Sequence, residues 1–121
     1  MFSITNETKR RTPSVPFEEI KNKVLGKRYE LSLVFVGNKL SRRLNRVYRS
    51  KDKSTNVLSF PITKSSPACA GVGEIFINLS HSKLFGPTHL FIHGLLHLKG
   101  MRHGDRMERM EAKFLKKFHV Q

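Results

Sequence analysis

The sequence predicts an α/β or α+β fold: a small mixed four-stranded sheet packed with helices, with a metal site on a central helix. Three observations carry this. Short apolar runs of strand character alternate along the chain with stretches of 3.6-residue periodicity. The 121 residues are 38% hydrophobic, enough for one core, so residues 1–121 are expected to form a single domain. Three histidines, His93, His97 and His103, stand in one H-x3-H-x5-H stretch, and such spacing unites them only if the first two share a helix face.

Phe2 and Ile4 alternate with polar neighbours and predict a short first strand, after which Thr12 to Pro16 reads as a turn. A helix follows. Pro16 suits its first turn, Glu18 and Glu19 its positive end, and Phe17, Ile20, Val24 and Leu25 form its apolar stripe before Gly26 stops it. Leu31 to Val36 is a second strand, dense enough in apolar residues to be buried on both faces, and Gly37-Asn38 ends it. Asn38 is placed to cap a second helix, whose apolar positions Leu40, Leu44, Val47 and Tyr48 are set among Arg42, Arg43, Arg46 and Arg49. Lys51 to Ser54 breaks that helix, and Thr55 to Phe60 reads as a third strand halted by Pro61.

Lys64 to Gly71 has loop composition and is expected to be mobile; Gly73 to Leu79 is a fourth strand. The histidine helix opens at Gly86-Pro87 or Thr88, with Leu90, Phe91, Leu95 and Leu98 facing the core. A last helix starts at Asp105, which makes a capping-box-like pair with Glu108, and turns Met107, Met110, Phe114 and Phe118 inward. Met101, Met107 and Met110 are expected in the core, because thioethers prefer softer ions than this site would take.

Two residues four apart on a helix lie on one face, about 6 Å apart along the axis. His93 and His97 can therefore both reach one cation. Gly100 can adopt the left-handed conformation that ends a helix, so the chain folds back and lets His103 approach. Three imidazoles with an open fourth position describe a catalytic zinc site, Zn2+ with one ion per chain. The single Cys69 excludes a thiolate zinc finger and any internal disulfide, in keeping with a reducing compartment.

Lys and Arg number 23 against 9 Asp and Glu, a net charge of +14. An excess of that size favours a polyanionic partner, nucleic acid above all. A membrane surface attracts the same charge, but here the basic residues do not lie opposite one apolar helical face, and no apolar run approaches 18 residues. Met1 to Arg11 is polar and lightly basic, unlike a secretory leader, so the expected location is cytoplasmic. Aromatic platforms for bases are scarce: Tyr48 and Phe85 are the candidates.

Three separated motifs in order, Asn45 to Pro61 (N-x-x-Y-R-x-K-D-x-x-T-N-V-L-S-F-P), Gly73 to Ile77 (G-E-I-x-I) and His93 to His103 (H-G-x-L-H-L-x-G-x-x-H), resemble the YbeY family of bacterial endoribonucleases. The resemblance spans Asn45 to His103 and implies a zinc-dependent, single-strand-specific endoribonuclease acting in ribosomal RNA processing, including small-subunit rRNA 3′-end maturation, and in ribosome quality control. It implies His93, His97 and His103 as metal ligands, with His97 and Arg49 as catalytic residues. The implied partners are ribosomal RNA and the small ribosomal subunit, together with a ribosomal protein or an assembly GTPase. Two positions depart from the family pattern: Arg102 replaces the usual acidic residue before the third histidine, and Met101 the usual tyrosine. A carboxylate behind the ligands is then either missing or supplied by Asp105.

A guanidinium approaching phosphoryl oxygens as a bidentate fork would stabilise the charge that grows there in cleavage, which is the role expected of Arg49. Whether activated water or the RNA 2′-OH attacks is not separable from the residues alone. Two rival readings share the histidines. A zincin-like metallopeptidase carries a glutamate general base directly after its first histidine, and here that position is Gly94. Glu74 and Asp105 are the remaining carboxylate candidates, the first expected to be structural and the second a helix cap. The other rival is a non-catalytic, metal-stabilised rRNA-binding assembly factor, which the composition fits equally well.

Overall fold

A computed structural model describes residues 1–51, 53, 55–63, 70–81 and 86–118. Four strands, β1 (Phe2–Asn6), β2 (Glu30–Val36), β3 (Val57–Thr63) and β4 (Val72–Asn78), form one sheet in the order β1-β2-β4-β3. β1, β2 and β4 run parallel and β3 is antiparallel to β4, so the sheet is mixed as expected. Four helices complete the fold: α1 (Phe17–Leu25), α2 (Asn38–Arg49), α3 (Pro87–Leu98) and α4 (Asp105–Lys117).

One face of the sheet carries the core. Leu31, Leu33, Phe35, Ile75 and Ile77 are buried against α1 and α3, whose Phe17 and Phe91 rings meet edge to face at 5.0 Å. α3 is buried on most of its circumference, and α4 closes over it through Met107 and Phe114. The opposite face is only partly covered, so Ser32 and Val34 of β2 are half-buried, where burial on both faces was expected.

Four local expectations are corrected. β3 runs through Pro61 instead of stopping there, because β3 is an edge strand and a missing N–H costs no ladder bond on the open side. Asn38 is the first residue of α2 and not its cap; its Oδ1 accepts a hydrogen bond from Asn78 Nδ2 (2.9 Å) and ties helix to sheet. α2 is not held by an apolar stripe: Val47 and Tyr48 are 63% and 66% exposed, while the buried positions are Ser41 and Asn45. Their side chains donate to the carbonyls of Thr55 (2.8 Å) and Lys53 (2.9 Å). Asp105 makes no capping bond; the α4 cap is Gly104, at φ +151°. The loop over 64–69, Cys69 within it, and Phe85 lie outside the described residues.

Candidate metal centre and its surroundings

Pro87 opens α3 with a fixed φ where no N–H partner is needed, and burial of Leu90, Phe91, Ile92, Leu95 and Leu96 holds the helix in place. What remains toward the open side is a stripe at four-residue spacing, His89, His93 and His97. The helix ends as the spacing predicts. Gly100 sits at φ +100°, its N–H bonds to the His97 carbonyl, and the Met101 N–H bonds to the Leu96 carbonyl, which is a Schellman closure. The returning chain brings His103 back, and one nitrogen from each of His93, His97 and His103 lies within 4.8 Å of the others.

The ring orientations are set from behind. His97 Nδ1 lies 3.2 Å from the Met101 carbonyl, an acceptor only, so Nδ1 carries the proton and Nε2 keeps its lone pair. His93 Nδ1 donates to Glu111 Oε1, leaving its Nε2 likewise bare. These two Nε2 atoms face each other at 3.1 Å, two lone pairs with no proton between them. A cation resolves that contact: two nitrogens at about 2.0–2.1 Å from a tetrahedral zinc are about 3.3 Å apart. The donor set and its spacing fit zinc, and His93, His97 and His103 could hold it. Burial, then the charges of His93 and His103, push the His97 pKa below its ordinary value, with a smaller contribution from Arg49; the Met101 carbonyl opposes them.

Glu111 is the residue that sequence reasoning missed. It comes from α4, keeps 13% of its side-chain surface exposed, and bridges His93 to His89, whose Nε2 lies 3.2 Å from Oε2. The sequence leaves a carboxylate behind the ligands either missing or supplied by Asp105; Asp105 lies exposed at the start of α4, and Glu111 takes that place. The signal was present: Glu111 falls within the inward stripe Met107, Met110 and Phe114, and a carboxylate on an apolar stripe needs a partner. His89, at the same spacing as the two histidines after it, was readable too.

Gly94 is a close-approach glycine. A Cβ there would stand 2.9 Å from Ser59 Oγ and 3.1 Å from Ile75 Cδ1, so position 94 points into the sheet. Ser59 Oγ donates to the Gly94 carbonyl (3.1 Å), locking α3 to β3. A side chain at the position that carries a general base in zincins would thus have to displace Ser59 and Ile75. Glu74, on the sheet face away from α3, pairs with Phe60 in the strand register. Arg49 is exposed at the end of α2, with its charge within electrostatic reach of His97. A cleft of about 320 Å³ beside the cluster is lined by His89, His93, His103, Glu108 and Glu111 among others.

Fold and site together define a class: an α/β protein with a three-histidine centre at the end of a buried helix, and a second helix rich in arginine. The family model for endoribonuclease YbeY matches residues 3–119. Endoribonuclease YbeY of Ehrlichia chaffeensis is 38% identical over 105 residues, which is 74% of this chain and 68% of that protein. The protein of the same name from Agrobacterium fabrum is 40% identical over 99 residues, 71% of this chain and 59% of that one. A Thermotoga maritima protein solved in solution superposes with a TM-score of 0.63 at 22% identity, over 98% of this chain and 89% of its own, which speaks for the fold. The chain belongs to the YbeY endoribonuclease family.

Proposed function

We propose that this chain is a zinc-dependent, single-strand-specific endoribonuclease that acts in the cytoplasm on ribosomal RNA, in small-subunit 3′-end maturation and ribosome quality control. A single domain carries the activity. The observation that carries the reading is the pair of bare Nε2 atoms at 3.1 Å with a third histidine within 4.8 Å, in a chain of the YbeY family. Zinc, when bound, supplies Lewis-acid chemistry at neutral pH. The protein's own groups do the rest. Glu111 and the Met101 carbonyl hold the Nδ1 protons of His93 and His97, which fixes both tautomers and orients the two Nε2 atoms toward a shared cation. Arg49 steadies the phosphoryl oxygens as negative charge grows on them, and Gly94 leaves the centre without a peptidase base. The small ribosomal subunit is the setting, with a ribosomal protein or an assembly GTPase as a further partner.

The test is His97→Ala in a protein that still folds and binds single-stranded RNA. Cleavage should vanish in the variant, vanish in the wild type on chelation, and return to the wild type with zinc. Cleavage that survives both treatments would refute the metal reading, and RNA-dependent function that survives without cleavage would favour the assembly-factor role. RNA affinity should also fall with salt, by a log–log slope of roughly 0.7 per phosphate contacted.

A further inference from the structure

Tyr48 is the exposed end of a row of three aromatic rings on the sheet face away from α3. Its ring centre lies 5.2 Å from that of Phe60, and Phe60 lies 5.7 Å from Phe76. The two phenylalanines are half-buried on β3 and β4, whereas Tyr48 leaves 66% of its surface to solvent. Its neighbour Val47 is 63% exposed, and Ile62, two residues beyond Phe60 at a register irregularity of β3, is 56% exposed. Among the described residues, three of the five exposed large apolar side chains therefore belong to this row or stand within two residues of it in sequence. Helix packing does not explain the ring, because α2 is anchored by Ser41 and Asn45.

The charge around the row narrows what covers it. α2 carries Lys39, Arg42, Arg43, Arg46 and Arg49 and no carboxylate, over about 15 Å of helix at 1.5 Å per residue. Arg49, next in sequence to Tyr48, lies within electrostatic reach of His97. A polyanion satisfies the cations, but a polyanion without ring faces has no use for an exposed tyrosine backed by a phenylalanine. A single nucleic-acid strand offers both, since unpaired bases stack on aromatic side chains while basic groups follow the backbone.

We infer that Tyr48, supported by Phe60, is the stacking subsite for an unpaired base of the RNA substrate, flanking the phosphate that Arg49 holds. The inference rests on the proposed endoribonuclease function and names how that site selects single strands. A base in a duplex is stacked on both sides and cannot reach the ring; a splayed base can.

Binding is measured on the full chain held in chelator, so that cleavage does not interfere, with a fluorescein-labelled oligoadenylate and an abasic oligomer of the same length and charge. Tyr48→Ala should weaken oligoadenylate binding roughly tenfold, within the range for loss of one stacked base. It should leave the abasic oligomer unaffected, and Tyr48→Phe should bind both as the wild type does. The chain has no tryptophan and two tyrosines, of which Tyr29 is buried, so in a Tyr29→Phe background Tyr48 is the sole intrinsic fluorophore. Its emission should be quenched at saturation by oligoadenylate and not by the abasic oligomer. Equal losses for both oligomers, no loss for either, or unquenched emission would overturn the subsite. If in that case the wild type still binds and cleaves single-stranded RNA, the endoribonuclease function stands without it; a wild type that binds neither oligomer removes both.

Discussion

Replacing Glu111 tests how the histidine centre is held. Its carboxylate takes the Nδ1 proton of His93 on one oxygen and faces His89 Nε2 at 3.2 Å on the other, with 13% of the side chain exposed. Loss of such a partner behind a metal-bound imidazole weakens metal binding by about 10–100-fold, or about 1.4–2.7 kcal/mol. Glu111→Gln keeps an oxygen able to accept the proton and loses the charge, so about tenfold is expected. Glu111→Ala loses both and frees the ring to rotate, so about a hundredfold is expected. The loss should also appear in stability. Metal at a hundred times its dissociation constant adds about 2.7 kcal/mol to folding, and the same concentration against a tenfold weaker site adds about 1.4 kcal/mol. Competition with a chromophoric zinc chelator measures the affinity, and unfolding curves with and without zinc measure the linkage. Zinc affinity within a factor of two of the wild type in both variants would refute the orientation argument.

Acid should destabilise the chelated protein through His97. Its folded pKa is lowered, by burial first, so just below the ordinary value of 6.5 the unfolded state binds more protons; the contribution is complete above pH 6.5 and is lost as pH falls through the lowered value. Urea unfolding from pH 5 to 7 should show stability rising with pH, and His97→Gln should flatten that slope. Arg49→Lys keeps the charge but loses the planar fork, and RNA cleavage should drop by about 10–100-fold with zinc content unchanged, as metal analysis of the purified variant would check. Tyr29 buries a hydroxyl that has no hydrogen-bond partner among the described residues, so Tyr29→Phe should stabilise the protein by about 1 kcal/mol in urea unfolding; a loss would show that the hydroxyl is satisfied. Gly94→Glu restores the residue a zincin peptidase uses, yet must push aside Ser59 and Ile75; it should cost about 2 kcal/mol or more and yield no cleavage of a peptide substrate.

The periodic elements were readable because burial imposes period on a chain. The strands β1, β2 and β4 and the helices α1, α3 and α4 fall close to where the apolar spacing puts them, and Gly26 and Gly100 end α1 and α3 at positive φ. Misreadings arose where polar side chains replace apolar packing. Ser41 and Asn45 hold α2 by hydrogen bonds to the segment that follows it, and hydropathy patterning assigns such positions to solvent. Pro61 was read as a stop because edge position depends on strand order, which no local pattern encodes. Glu111 was missed for a similar reason: its partners lie 18 and 22 residues away, on another helix.

These polar anchors bear on the chemistry. Arg49 is the last residue of α2, followed by Ser50 in the left-handed conformation with Lys51 N–H bonded to the Asn45 carbonyl. The same Asn45 donates to the Lys53 carbonyl, and Ser41 donates to that of Thr55 and accepts its N–H (3.0 Å). The segment that follows Arg49 is therefore tied back to the helix by four bonds, whereas an apolar stripe would have fixed only the helix. In the role proposed for Arg49, meeting charge that develops on a phosphate, the backbone needs tighter placement than that of a surface cation, since misplacement of about 1 Å can cost a hundredfold in rate. Gly94 makes the complementary provision on the other helix by letting α3 approach β3 and β4 closely enough for Ser59 to bond its backbone. Polar residues at buried positions of α2 and a glycine inside α3, each unfavourable to its own helix, both act to fix backbone position: the first ties α2 to the segment after Arg49, the second seats the histidine helix on the sheet.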